Sequence, residues 1–252
     1  MRLQSGLVFR VAPRFHCIAA WPERLRVNGG MLCGASGVRP RDDWRAADEA
    51  ELRVLVDDDA AAPAASDRCL QLLSIPAHLR GRWWELAEHD AASAGALSGY
   101  DALVEDLLAL LRFKRLPVPE RCRADVVISR AGQASIRLDT GGKALAGLGF
   151  GSVGVHDAGA VPVGVINLGD EAGCVVVLNL PGSALRERCG AESTGASDAL
   201  LSTFARRCSD YPLIGVRLAP GEGLWLPTPP PAFDGWTVGK HDLDAMLVLH
   251  AL

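Results

Sequence analysis

The sequence predicts a mainly β protein, a sandwich or jelly roll behind a mixed, partly helical N-terminal part. Three observations carry that expectation. From about residue 124 the apolar residues fall into short β-like runs, Gly, Pro and Asp punctuate those runs, and one helical stretch alone interrupts the series. The chain has 252 residues, 49% hydrophobic and 22% charged, an ordinary globular composition. A chain of that length buries roughly 70% of its unfolded surface. One structural unit is therefore expected, with residues 1–123 packing on a β core of residues 124–252.

The elements follow in order. Leu7 to Val11 reads as a short strand, and so does Glu51 to Val56 before the acidic run Asp57–Asp59. The Ala-rich stretch Ala60 to Ser66, with Pro63, reads as a loop. Leu79 to Leu86 is expected to be helical. Asp101 to Phe113 is a stronger helix: Asp101 is placed to cap it, Leu103, Leu107, Leu110 and Leu111 share a face, and Pro117 stops it. The β runs are Val126–Ile128, Ala134–Leu138, Val163–Leu168, Cys174–Leu180, Leu213–Leu218, Leu224–Leu226 and Ala245–Leu249, with a helix over Asp198–Arg207.

Charge and cysteine usage exclude several functions. Lys+Arg 26 against Asp+Glu 30 gives a net charge of −4, unlike the basic face of a nucleic-acid binder. The 7 cysteines are scattered without a CxxC pair, which suits reduced, buried thiols rather than a disulfide framework or a zinc site. Arg10 and Arg14 interrupt the N-terminal apolar residues, and no run reaches the roughly 18 apolar residues of a membrane span. A soluble cytoplasmic protein is expected. Its expected partner is a small-molecule substrate or ligand, with no nucleic acid and no membrane, and a homodimer is left open.

Gly149-Phe-Gly151-Ser-Val-Gly154 has the letters of a dinucleotide fingerprint, but it leads into His156–Asp157 and Pro162 rather than into a helix. It reads as a loop. No nucleophile elbow, Walker loop or zinc-protease motif is present.

The C-terminal half resembles a bacterial group of iron/2-oxoglutarate oxygenase-like proteins. The resemblance rests on Tyr211-Pro212 through Arg217 to Pro220-Gly221-Glu222, on Pro227-Thr228, and on Phe233-Asp234-Gly235-Trp236-Thr237. Upstream it rests on Ile128-Ser129-Arg130-Ala-Gly132, Ile166-Asn167-Leu168-Gly169 and Asn179-Leu180. It covers about residues 124–249 and implies a double-stranded β-helix, the cupin-like jelly roll. Such oxygenases hold Fe(II) with a His-x-Asp pair and a distant histidine. Here the resemblance places Arg137 at the first histidine, Asp139 at the carboxylate and Phe233 at the distal histidine, so no metal and no cofactor are expected.

Arg137 and Asp139 are two apart on an expected strand and so share a face. They form either a structural ion pair or a pair that clamps a carboxylate and carries a non-oxidative step. Arg217 and Lys240 are further candidates for anion contact, and Phe233 and Trp236 for an apolar wall. Trp225 is expected in the core. Three functions remain open: a metal-free small-molecule enzyme (an isomerase, cyclase or lyase) of biosynthesis, a non-catalytic ligand- or partner-binding relative, and an Fe(II)/2-oxoglutarate dioxygenase using His156, His241 or His250.

Overall fold

Central strands buried on both faces set the architecture of the chain. The computed structural model describes residues 3–12, 14–15, 17, 20–34, 37–57, 68–90, 97–132, 147–150, 161–190 and 197–252. In the first half these form β1 (Val8–Val11), α1 (Trp21–Arg24), β2 (Leu25–Val27), β3 (Met31–Gly34), β4 (Gly37–Pro40) and β5 (Arg45–Ala46). Next come α2 (Glu49–Leu55), β6 (Cys69–Ser74), α3 (Ala77–Asp90) and α4 (Leu97–Phe113). The second half holds β7 (Cys122–Ser129), β8 (Val161–Asn167), β9 (Gly173–Val177), α5 (Gly182–Cys189) and α6 (Ser197–Arg207). It ends with β10 (Ile214–Leu218), β11 (Glu222–Trp225), β12 (Phe233–Gly235) and β13 (Asp244–Ala251).

The fold is mainly β. One sheet has the order β1-β6-β11-β8-β13-β7 and the other β12-β9-β10-β2-β5, while β3 and β4 form a separate hairpin. Every pairing in the two large sheets is antiparallel except β1 with β6. The N-terminal strands thus extend both sheets. No helix among the described residues is long and apolar enough to cross a membrane.

Three apolar clusters follow from side-chain period 2. Leu72, Val165 and Leu224 from the first sheet meet Val175, Val177 and Val216 from the second, and this cluster fills the space between the sheets. Leu73, Trp225 and Leu247 on the other face of the first sheet pack under Trp83, Leu107 and Leu111 of α3 and α4. Val176 and Leu178 on the outer face of the second sheet pack under Leu185, Leu201 and Phe204 of α5 and α6. The β8–β13 register skips Val163 between Leu249 and His250. This bulge lets Val163 and Ile166 both join the α3/α4 side.

The structure corrects four expectations. Two helices rather than one interrupt the β runs, since α5 precedes α6 between β9 and β10. Glu51–Leu55 are helical as part of α2, not a strand; Val56 alone is extended, as the C-cap bridged to Phe9. Asp48 accepts from the Glu51 N–H while the Glu51 side chain accepts from the Asp48 N–H, and this capping box overrides the β-branched Val54. The helix expected from Asp101 starts one turn earlier, at Leu97, so Asp101 lies inside α4 rather than at its cap. That helix also stops before Pro117. Arg115 takes the left-handed conformation (φ 64°), and Arg115 N–H and Leu116 N–H donate to the carbonyls of Arg112 and Leu111, a Schellman closure built without glycine. The other expected strands and helices of the described residues form within a few residues of the expected limits. The expected strand Ala134–Leu138, the Ala60–Ser66 loop and the loop after Phe150 lie outside the described residues.

Candidate functional site

The outer face of the second sheet carries polar side chains where the helical cover stops. Leu25 and Val27 of β2 face inward, as do Ile214, Val216 and Leu218 of β10, so Arg26 and Arg217 face outward. In the register Gly215 stands opposite Arg26, and Arg217 opposite Cys174. Arg26 and Arg217 are therefore diagonal neighbours on adjacent strands, about 7–8 Å apart. Among the described residues neither guanidinium makes a hydrogen bond or ion pair.

Gly215 makes room for an indole. A Cβ there would stand 3.1 Å from Trp44 Cζ3 and 3.4 Å from Cys174 Sγ, so Trp44 rests on the β10 backbone. Trp236 follows β12 and is held by its N–H, which donates to the Cys174 carbonyl at 2.8 Å. The two indoles stand 6.3 Å apart between ring centroids, tilted by 58°.

The turn after Trp236 brings in Lys240. Thr237 Oγ1 donates to the Arg130 carbonyl (3.1 Å), and Lys240 N–H donates to the Thr237 carbonyl (3.2 Å). Gly239 lies at φ 86°, a conformation glycine adopts without penalty. The Lys240 ammonium pairs with Asp244 Oδ1; the two side chains are only 5% and 1% exposed. Asp244 Oδ2 is buried without a partner among the described residues. Glu171 anchors the same turn by accepting from the N–H groups of His241 and Asp242, which hold its carboxyl below its ordinary value.

Together these residues enclose a half-open cavity of about 270 Å³, at the small end of ligand pockets. Arg26, Arg217 and Lys240 supply its cations, Trp44 and Trp236 its aromatic surface, and Gly173, Cys174 and Gly239 part of its remaining wall. Burial pushes the Cys174 thiol up to about 12, against the pull of Arg217. At neutral pH it is a protonated thiol and not a nucleophile. The site offers charge, planar apolar surface and one buried ion pair.

Of the residues singled out from sequence, Arg217, Trp236 and Lys240 line this one cavity. They do so on the outer face of the second sheet. Phe233 is not with them. β12 turns it inward, 2% exposed, into the cluster between the sheets, where it lies opposite Val177. Arg137 and Asp139 lie outside the described residues, as do His156 and Asp157. Sequence reasoning missed Arg26 and Trp44. The alternation Leu25–Arg26–Val27 was a signal for the first, and a tryptophan set among charged residues after Asp43 a weaker one for the second.

The donor set of an iron centre does not fit the described residues. Phe233 has no donor atom for a metal. His241 lies before β13 while His250 sits near its end, bonded through Nε2 to Asp125 (3.2 Å). From Asp244 to His250 the strand alone runs roughly 20 Å, so the two imidazoles do not converge on one ion. No group of three or more His, Cys, Asp or Glu suited to a metal occurs among the described residues.

Apart from Arg217 and Trp236, several residues of the segments that carry the family resemblance make structural contacts. Asn167 donates to the Glu171 and Leu218 carbonyls, both at 2.9 Å, and accepts from Gly169 N–H at 3.0 Å. Asp234 accepts from the N–H groups of Gly147 and Gly235. Glu222 receives a two-pronged contact from Arg24 at 2.5 and 2.7 Å. Tyr211 donates to Asn179 at 2.8 Å. No protein-family model, curated protein or solved structure matches this chain.

Proposed function

We propose that this chain binds a small organic anion, a carboxylate above all, on a scaffold of the double-stranded β-helix kind, without resident metal. The observation that carries the proposal is the cavity in which two guanidiniums without a partner among the described residues and a lysine meet two indoles. Guanidinium is always charged and matches a carboxylate in two-pronged fashion. The strand order supports the scaffold. Among the described strands, those from β7 onward are shared between the two sheets, β11-β8-β13-β7 in one and β12-β9-β10 in the other, so that the chain crosses repeatedly from sheet to sheet, as it does in a jelly roll.

On such a scaffold a non-oxidative step (isomerisation, cyclisation or elimination) proceeds by positioning and electrostatics. Arg137 and Asp139 are the residues proposed to carry it. The filled space between the sheets favours a second reading, ligand binding without turnover, because the customary interior site is occupied by side chains.

The test is a thermal-shift and calorimetric screen of aliphatic and aromatic carboxylates, 2-oxoglutarate among them, on the native chain and on Arg26→Ala/Arg217→Ala. The native chain is expected to bind members of the panel. The double variant is expected to bind them at least tenfold more weakly, as loss of charge-assisted contacts worth about 1.5–3 kcal/mol implies. Equal binding by both proteins overturns the assignment. Consumption of a bound compound separates turnover from binding alone.

A further inference from the structure

From the shape and charge of the cavity we infer that its ligand is a flat, conjugated ring bearing an anionic group, an aryl or heteroaryl carboxylate or phosphate. This rests on the anion-binding assignment above and narrows it.

Charge comes first. Lys240 is ion-paired with Asp244, which leaves the guanidiniums of Arg26 and Arg217 as the charges of the wall that no described residue compensates. They project from adjacent strands on one sheet face, so an anion placed between them meets planar donors from both sides. Shape comes second. Trp44 and Trp236 present rigid apolar faces at 58° to each other, and aromatic faces of this kind favour offset or edge contact with another ring. The indoles are held where they are. The Trp44 ring rests on Gly215, and the backbone of Trp236 is bonded to β9.

The remaining wall is kept free of bulk. Gly173 borders the cavity and brings no side chain to it; a Cβ there would point toward Met246 Cε (2.3 Å) in the space between the sheets and not into the cavity. Ala172 and Gly239 add none of size. A ring therefore enters beside the indoles without displacing a side chain, while the anion reaches the guanidiniums. A long aliphatic chain would leave the indole faces unmatched in a cavity of about 270 Å³.

Ligand-observed NMR and calorimetry with four probes test the inference. Benzoate and phenyl phosphate carry both ring and charge, cyclohexanecarboxylate carries the charge on a saturated ring, and benzamide carries the ring without the charge. The expected result is that benzoate or phenyl phosphate binds roughly tenfold more tightly than cyclohexanecarboxylate and benzamide. Trp236→Leu should erase the preference for the flat ring and leave cyclohexanecarboxylate binding unchanged; Trp44→Leu serves as a second variant, each checked for native circular dichroism. Cyclohexanecarboxylate binding as tightly as benzoate, with Arg217→Ala weakening both, overturns this inference while the anion assignment stands. Binding of none of the four probes overturns the inference. Binding of benzamide as tightly as benzoate overturns both.

Discussion

Three buried asparagines hold the turns from which the sheets and the cavity are hung. Asn167 ties the end of β8 to β10 and to the turn before β9. Asn28 accepts from Leu213 and Gly30 N–H and donates to the Gly30 and Arg41 carbonyls. Asn179 donates to the Gln4 carbonyl and accepts from Tyr211. A short amide can satisfy backbone donors and acceptors at once, which no apolar side chain of that size can do. Asn167→Ala removes the amide donor from the Glu171 and Leu218 carbonyls and leaves the Gly169 N–H only its longer bond to the Ala245 carbonyl (3.3 Å); it is expected to cost about 3 kcal/mol, read as a fall in the urea midpoint. A change within ±0.5 kcal/mol would mean that relaxed backbone or water replaces the amide. These residues stand out in sequence as short polar letters inside apolar runs. Each also has a partner far away in the chain, Leu218 for Asn167, Leu213 for Asn28 and Gln4 for Asn179, so the residue was visible in the sequence but its task was not.

At the scale of elements, local signals were legible where period and caps agreed. Leu107 and Leu111 face the core as their spacing implies. Short apolar runs bounded by Gly and Pro became β8, β9, β10 and β13. The reading failed at Glu51–Leu55, where valines suggested a strand and the capping box at Asp48 decided for a helix. It also left β2, β5 and β6 unassigned, strands whose partners are distant in sequence.

The edge pair β7–β13 makes a prediction about pH. Arg123 donates to Asp125 at 2.7 Å and His250 stands 3.2 Å from the same oxygen. Burial alone would raise the Asp125 carboxyl, but the contacts with His250 and Arg123 outweigh it and hold the group below its ordinary value. A carboxyl lowered in the folded state contributes stability that is complete above its unfolded value of about 3.9 and is lost as pH falls through the folded value. Asp125→Asn is therefore expected to be less stable than the native chain near pH 6 and to lose less on acidification from about pH 5 to pH 2. Denaturant melts across that range measure it. Parallel acid profiles for the two proteins would count against the role given to this cluster.

For the molecule as a whole, the position of the cavity follows from what the two sheets leave uncovered. Aliphatic side chains close the space between them, α3 and α4 cover one outer face, and α5 and α6 cover part of the other. The rest of that second face, beside Cys174 and Arg217, is where Trp44, Trp236 and the Lys240 turn build a wall. Sequence alone brought Arg217, Trp236 and Lys240 forward by residue type and placed Phe233 with them. Which face of the sheet each side chain takes depends on strand pairing, so Phe233 went inward. Arg26, from a strand of three residues, joined the site unannounced. The most direct measurement of the central claim is a ¹H–¹⁵N NMR titration of the labelled chain with benzoate, following the indole N–H signals of its 6 tryptophans. Binding at the cavity moves the signals of Trp44 and Trp236, assigned by Trp44→Phe and Trp236→Phe, and leaves those of buried Trp21 and Trp83 in place. Shifts confined to other indoles, or none at saturating benzoate, would contradict it.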